Sequence, residues 1–164
     1  MIREEFITAS ELALERLLAP IKDLPIELMD EPLTEGKWSV KQLILHLTYW
    51  NTLTVRALEA LYAGEEFDWS PYDDIDKLNE QIVSDRQPDP YRRIVAEFQI
   101  VHSTLMAAVE RIPFERFGEN GELPDWLVTH VPRHYLHHAP KLEAWAKKIR
   151  DSGRGGSTGL PVVQ

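Results

Sequence analysis

Apolar positions recur along the chain with the spacing of helices, and no stretch alternates as a strand would. Ile2 to Leu24 predicts a first helix whose apolar stripe is Phe6, Leu12, Leu14, Leu17, Leu18 and Ile21, with Pro20 kinking or ending it. Pro25 to Lys37 is a connector punctuated by Pro32 and Gly36. Ser39 then suits the N-cap of a second helix that carries Val40, Leu43, Ile44 and Leu47 and runs to about Ala63, where Gly64 stops it. Gln42, three residues beyond Ser39, completes a capping-box pattern.

From Glu65 to Asp89 the chain turns polar and acidic. Ser70-Pro71 marks a turn, and Asp73 or Asp74 caps a short helix through Ile75, Leu78 and Ile82. Asp89-Pro90 reads as cap and first residue of a third long helix, with the stripe Ile94, Phe98, Val101, Leu105 and Val109. Glu115 to Glu122 is loop, with Gly118 and Gly121. A last helix spans about Leu123 to Arg150, with Pro124 at its start and a bend expected from Pro132 and Pro140. Lys147, Lys148 and Arg150 suit the negative end of its dipole. The expected architecture is all-α: a four-helix bundle with one long, decorated connection between helices two and three. Residues 1–150 form the expected domain, and 151–164, rich in Gly and Ser, a flexible tail.

At 164 residues the chain is long enough for one core, burying about 70% of its unfolded surface. It holds no cysteine, which removes disulfides, thiolate metal sites and a cysteine nucleophile. Any metal is therefore held by imidazole and oxygen. A formal charge of −9 argues against nucleic acid and anionic membrane as partners. Neither a membrane-length apolar run nor a signal-peptide core is present, so a cytoplasmic location is expected. Trp145, Ile149, Leu58 and Leu61 are more apolar surface than one small core is expected to hold.

Chemistry concentrates in the last helix, where His130, His134, His137 and His138 stand within nine residues. At about 100° per residue, His134 and His138 lie one turn apart and about 40° apart around the axis. Leu127, Val131, Leu142, Trp145 and Ile149 share their side, so both rings point toward the core, while His130 and His137 fall nearer the polar edge. A pair at this spacing can hold one metal ion. In helix two, His46 sits among Leu43, Leu47, Trp50 and Leu53, which also places it toward the core. A lone core histidine is more often neutral and hydrogen-bonded, and His102 on the third helix reads so. Trp38, Tyr49, Trp50 and Trp126 read as packing, with Trp50 best placed to line a pocket one turn beyond His46. The acidic run Asp68 to Asp76 reads as a solvated loop.

Gly36-Lys37-Trp38-Ser39-Val40-Lys41-Gln42-Leu43-Ile44-Leu45-His46-Leu47-Thr48-Tyr49-Trp50, followed by His134-Tyr135-Leu136-His137-His138, resembles the DinB/YfiT-like superfamily of metalloenzymes. The His-Tyr-x-x-His form and Asp76-Lys77-Leu78-Asn79 resemble its ClbS/DfsB branch, and the likeness covers roughly residues 1–150. It implies a four-helix bundle in which one histidine of helix two and two of helix four bind a divalent metal. By that matching the ligands are His46, His134 and His138. His130 and His134 share the i, i+4 spacing, but Pro132 interrupts that pair and His138 lies closer to the core stripe. The resemblance also gives Asn79 a place in orienting substrate, and it suggests a homodimer.

Three histidines without a carboxylate or thiolate leave an ion its full charge and an open position, the composition of a catalytic site rather than a structural one. Imidazole suits zinc and nickel best here, with iron, manganese or copper as further options. The expected activity is activation of water or a small thiol against a small electrophilic substrate, of a detoxification or self-resistance type. The alternative is a non-enzymatic bundle that sequesters a small molecule or a metal. No residue stands out as general base.

Overall fold

The computed structural model describes residues 1–35 and 37–156, so Gly36 and positions 157–164 of the expected tail lie outside the described residues. In chain order the helices are α1 (Arg3–Leu18), α2 (Val40–Ala63), α3 (Ile75–Asp85), α4 (Tyr91–Arg111), α5 (Asp125–Val128) and α6 (His134–Asp151). A π-helical stretch, Thr129–Arg133, joins α5 to α6, so the three form one continuous last segment. Among the described residues there is no strand, only an isolated bridge between Pro32 and Ser39. The protein is all helical. Its long elements are α1, α2, α4 and the last segment, and the connection from α2 to α4 carries α3 together with a 3-10 turn at Ser70–Tyr72. The packing of α2 along α4 is the most extensive in the bundle, and α1 lies against α6.

Local chemistry sets the ends of α2 as expected. Ser39 Oγ accepts from the Gln42 amide at 3.2 Å, and the Gln42 side chain accepts from the Ser39 amide at 2.9 Å. Gly64 ends the helix at φ 79°, a left-handed conformation that L side chains rarely adopt. Asp74 caps α3 through the Lys77 amide at 3.3 Å. The expected cap at Asp89 does not form: Pro90 precedes α4 in extended conformation, and the Asp89 carboxylate pairs with Arg86 and Arg93.

The apolar stripes are right in most positions and wrong where polar or small residues occupy the inner face. In α1 the buried positions are Phe6, Ser10, Ala13 and Leu17, while Leu12 is exposed. The spacing from Phe6 to Leu17 is helical only when Ser10 and Ala13 are counted as interior. In α4, His102 is buried where Val101 was expected. Leu127, Val131, Leu142, Trp145 and Ile149 are all buried. Pro132 falls inside the π stretch, whose wider turn relieves the clash an α-helix would create with the Val128 carbonyl. Pro140 stays inside α6, and the carbonyl it leaves without a donor belongs to Leu136, an exposed position. The expected apolar excess is absent: Leu58, Trp145 and Ile149 are buried within the single chain and Leu61 is half-buried.

A polar network crosses this core. Tyr135 is fully buried, and its hydroxyl meets both the Asn51 side-chain amide and His102 Nδ1, the latter at 3.0 Å. His102 Nε2 reaches the Glu11 carboxylate at 3.1 Å, so the ring links α1, α4 and α6. Burial raises the Tyr135 hydroxyl well above its ordinary pKa, which keeps it neutral. Tyr135→Phe removes the hydroxyl and leaves two buried polar groups unpaired. It should lower stability by about 1–3 kcal/mol in urea denaturation. An unchanged midpoint would mean the network contributes nothing.

Candidate metal centre

His46 stands in the seventh position of α2, inside the apolar face that capping at Ser39 phases toward the core. His134 and His138 open α6, one turn apart, directly after the π stretch. The structure brings these three together: one potential ligand nitrogen from each lies within 4.8 Å of the others, and His46 and His138 are buried. The His46 ring centroid is 4.9 Å from that of His134 and 5.3 Å from that of His138.

Hydrogen bonding fixes which nitrogens face inward. Asn79 Oδ1, an acceptor only, lies 2.9 Å from His46 Nδ1 and also accepts from Trp50 Nε1 at 3.3 Å. His46 therefore carries its hydrogen on Nδ1 and turns a lone pair inward at Nε2. That atom faces His134 Nε2 at 2.9 Å. His134 meets that lone pair by donating from Nε2 when its neutral ring carries the hydrogen there. With the His134 hydrogen on Nδ1 instead, two lone pairs meet, and a metal ion can take the place between them.

Burial opposes a positive charge on these rings. Desolvation is the leading cause in all three rings, lowering His46 to about 4, His134 to about 3 and His138 to about 2 from the ordinary 6.5. The neighbouring rings and the Lys141 ammonium push in the same direction on His46 and His138, against the Asn79 bond that favours protonated His46. An ion at about 2.0–2.1 Å from each nitrogen needs ligand atoms about 3 Å apart. The His46–His134 pair meets that distance, and His138 has a buried Nδ1 with no hydrogen-bond partner. The donor set fits a divalent ion that accepts imidazole.

The remaining histidines lie apart. His130 is half-buried between Trp50 at 5.7 Å and Trp69 at 4.8 Å, and His137 is exposed beside His138. Trp50 and Asn79 both reach the site, but the Asn79 carbonyl is engaged by His46 and Trp50. That is the position of a residue that orients a ligand ring. Sequence reasoning passed over Trp38, read as helix-end packing. Its ring lies 5.0 Å from His46, at the edge of a cavity of about 850 Å³ that reaches His138. It also passed over Lys141 and Lys148, although they follow His138 at helical spacing on the same side of α6 as Trp145.

The profile of the DinB superfamily matches residues 9–140. Two solved structures share the fold at 20% sequence identity, each match covering 91% of this chain and 95% of the other. One is an uncharacterised protein from Escherichia coli UTI89, at a TM-score of 0.74. The other is the colibactin self-resistance protein ClbS in complex with a dsDNA, at a TM-score of 0.70. No curated protein matches the sequence.

The ClbS complex corrects one expectation. Excluding nucleic acid on the strength of a net charge of −9 does not hold for a fold that is found with duplex DNA. Net charge sums over the whole surface, whereas a phosphate feels charges within a screening length of about 8–10 Å. As for membranes, no helix among the described residues is long and apolar enough to cross one.

The lowered histidine pKa values set the acid response of metal-free protein. Between about pH 6.5 and 4 the unfolded chain binds protons that the native site refuses, so stability is constant above that range and falls as pH drops through it. Each ring contributes up to about 1.4 kcal/mol per pH unit. Urea midpoints at pH 8, 6 and 5 should therefore decline, and less steeply in His134→Gln. Parallel declines in parent and variant would show that His134 protonates freely in the fold.

Proposed function

The chain belongs to the DinB superfamily, and on that footing we propose that it is a divalent-metal-dependent enzyme acting on a small electrophilic molecule. His46, His134 and His138 hold the ion, zinc or nickel before iron or manganese. The observation that carries this reading is the 2.9 Å approach of His46 Nε2 to His134 Nε2 while Asn79 holds the other nitrogen of His46. Bound at such a site, an ion supplies acidification of water or a thiol toward neutral pH and leaves room for a further ligand.

The chain's own residues supply the rest. Asn79 keeps the His46 ring in one tautomer and orientation, and Trp50 holds Asn79 in turn. Trp38 and Trp50 flank His46 and keep bulk water from its ring. The lowered pKa values keep all three imidazoles neutral at physiological pH, the state a ligand must have. The cavity beside His138 gives a substrate its approach. A bundle that only sequesters its ligand shares these features and is separated from an enzyme by turnover. Epoxides, activated cyclopropanes and pairs of thiol with electrophile are the substrates to screen. The dsDNA in the ClbS complex extends the partner classes to be tested for this chain to duplexes.

Metal dependence is tested on protein purified without a metal-affinity tag. Elemental analysis should find about one divalent ion per chain. After chelation, zinc at a thousandfold excess over its dissociation constant should add about 4 kcal/mol, on the order of 10 °C in melting temperature. His46→Ala, His134→Ala and His138→Ala should each abolish most of that shift, and Asn79→Ala should weaken zinc binding by about 10–100-fold. His137→Ala should leave the shift intact. A metal-free parent whose melting temperature ignores zinc would defeat the proposal.

A further inference from the structure

The cavity beside the three imidazoles has a character unlike the rest of the surface. It lies between the segment that precedes α2 and the outer face of α6, with His138 at its inner end. Leu33, Leu43, Trp38 and Trp145 give it apolar and aromatic walls. Lys37, Lys141 and Lys148 stand exposed around it, and none of the three forms an ion pair among the described residues.

No carboxylate lines this cavity, in a chain with 27 acidic residues against 18 lysines and arginines. Three other hollows among the described residues each contain one: Glu15 and Glu27 beside α1, Asp73 beside Trp69, and Glu59 beside Tyr62. Among the described residues seven of the 18 lysines and arginines form ion pairs, whereas the three that converge on this apolar hollow meet no acid and leave their charge for something else. Lys141 is near enough to the metal-centre rings for its charge to be felt by both His46 and His138. A group held by this lysine therefore lies beside the candidate metal centre.

We propose that this cavity binds an organic anion with an aromatic or aliphatic body. Its carboxylate or phosphate is held by Lys141 together with Lys37 and Lys148, and its body lies between Trp38 and Trp145 against His138. A concave site with apolar walls and a few convergent charges matches a small molecule better than a duplex, whose backbone is met by rows of exposed cations. The inference rests on the metal-centre reading only in making this anion the substrate or co-substrate of that centre. Binding itself requires no ion.

The probes are 2-naphthoate and 1-naphthyl phosphate, with 2-naphthalenemethanol as the neutral and 2-naphthylmethylammonium as the cationic comparison. Calorimetry on metal-free protein should give saturable binding of at least one anion, at least about tenfold tighter than the neutral compound, and none of the cation. The preferred anion tells carboxylate from phosphate recognition. Lys37→Glu/Lys148→Glu should weaken the anion by about tenfold or more and leave the neutral compound unchanged. Ala144→Trp, which fills the cavity from an exposed position on α6, should remove both. Melting curves establish that each variant is folded.

Equal affinity for anion and neutral compound, or variants that bind like the parent, would overturn the proposal. So would a labelled short duplex that binds the parent and Ala144→Trp alike and loses affinity in the lysine double variant, with no naphthoate binding to either. Anion binding by a protein that retains no metal would uphold the cavity and remove the metal-centre reading. Metal retention without anion binding would do the reverse.

Discussion

Two imidazole nitrogens, His46 Nε2 and His134 Nε2, meet at 2.9 Å in a place where burial disfavours a positive charge on either ring, with His138 one turn further along α6. A neutral His134 fills such a contact by donating from Nε2, and a metal ion fills it in place of that hydrogen. The surrounding structure holds it in place regardless. Asn79 prevents His46 from turning its other nitrogen inward, and the π stretch delivers His134 and His138 at the point where α6 faces α2. A contact held from both sides in this way, with His138 within reach of both rings, offers a divalent ion three imidazole ligands.

The bundle distributes the work of holding that contact. The capping box at Ser39 and Gln42 starts α2 in the register that buries His46. The connection between α2 and α4 would be idle length in a plain bundle, but its α3 supplies Asn79. On the far side of α6, Tyr135 ties the helix to Asn51 of α2 and to His102 of α4, and His102 reaches Glu11 of α1. Helices α1, α2 and α4 are thereby tied to the segment bearing two of the three histidines.

Much of this was legible in the residues because it rests on local rules. The helix ends at Ser39, Asp74 and Gly64 follow from side-chain and backbone chemistry within a few positions. The inward faces of His134 and His138 follow from the company of Val131, Leu142 and Trp145 at helical spacing. Asn79 entered by resemblance, and its bond to His46 joins residues 33 positions apart, which no local pattern reveals. Leu12 and Val101 were misplaced for a related reason. The inner face of a helix can be lined by Ser10 or His102 when a neighbouring helix offers close packing or hydrogen bonds, and apolar periodicity counts neither. Net charge misled most, since 27 acids against 18 bases describe the whole surface and conceal a cavity that holds three lysines and no acid.

The account stands on one ion held by three particular rings. Its most direct test is a crystal of the protein loaded with one equivalent of zinc, with diffraction recorded on both sides of the zinc absorption edge. A single anomalous peak should lie about 2.0–2.1 Å from one nitrogen each of His46, His134 and His138, with Asn79 still bonded to His46. A peak at His130 or His137 instead, or no peak at the three rings in zinc-containing crystals, would contradict it.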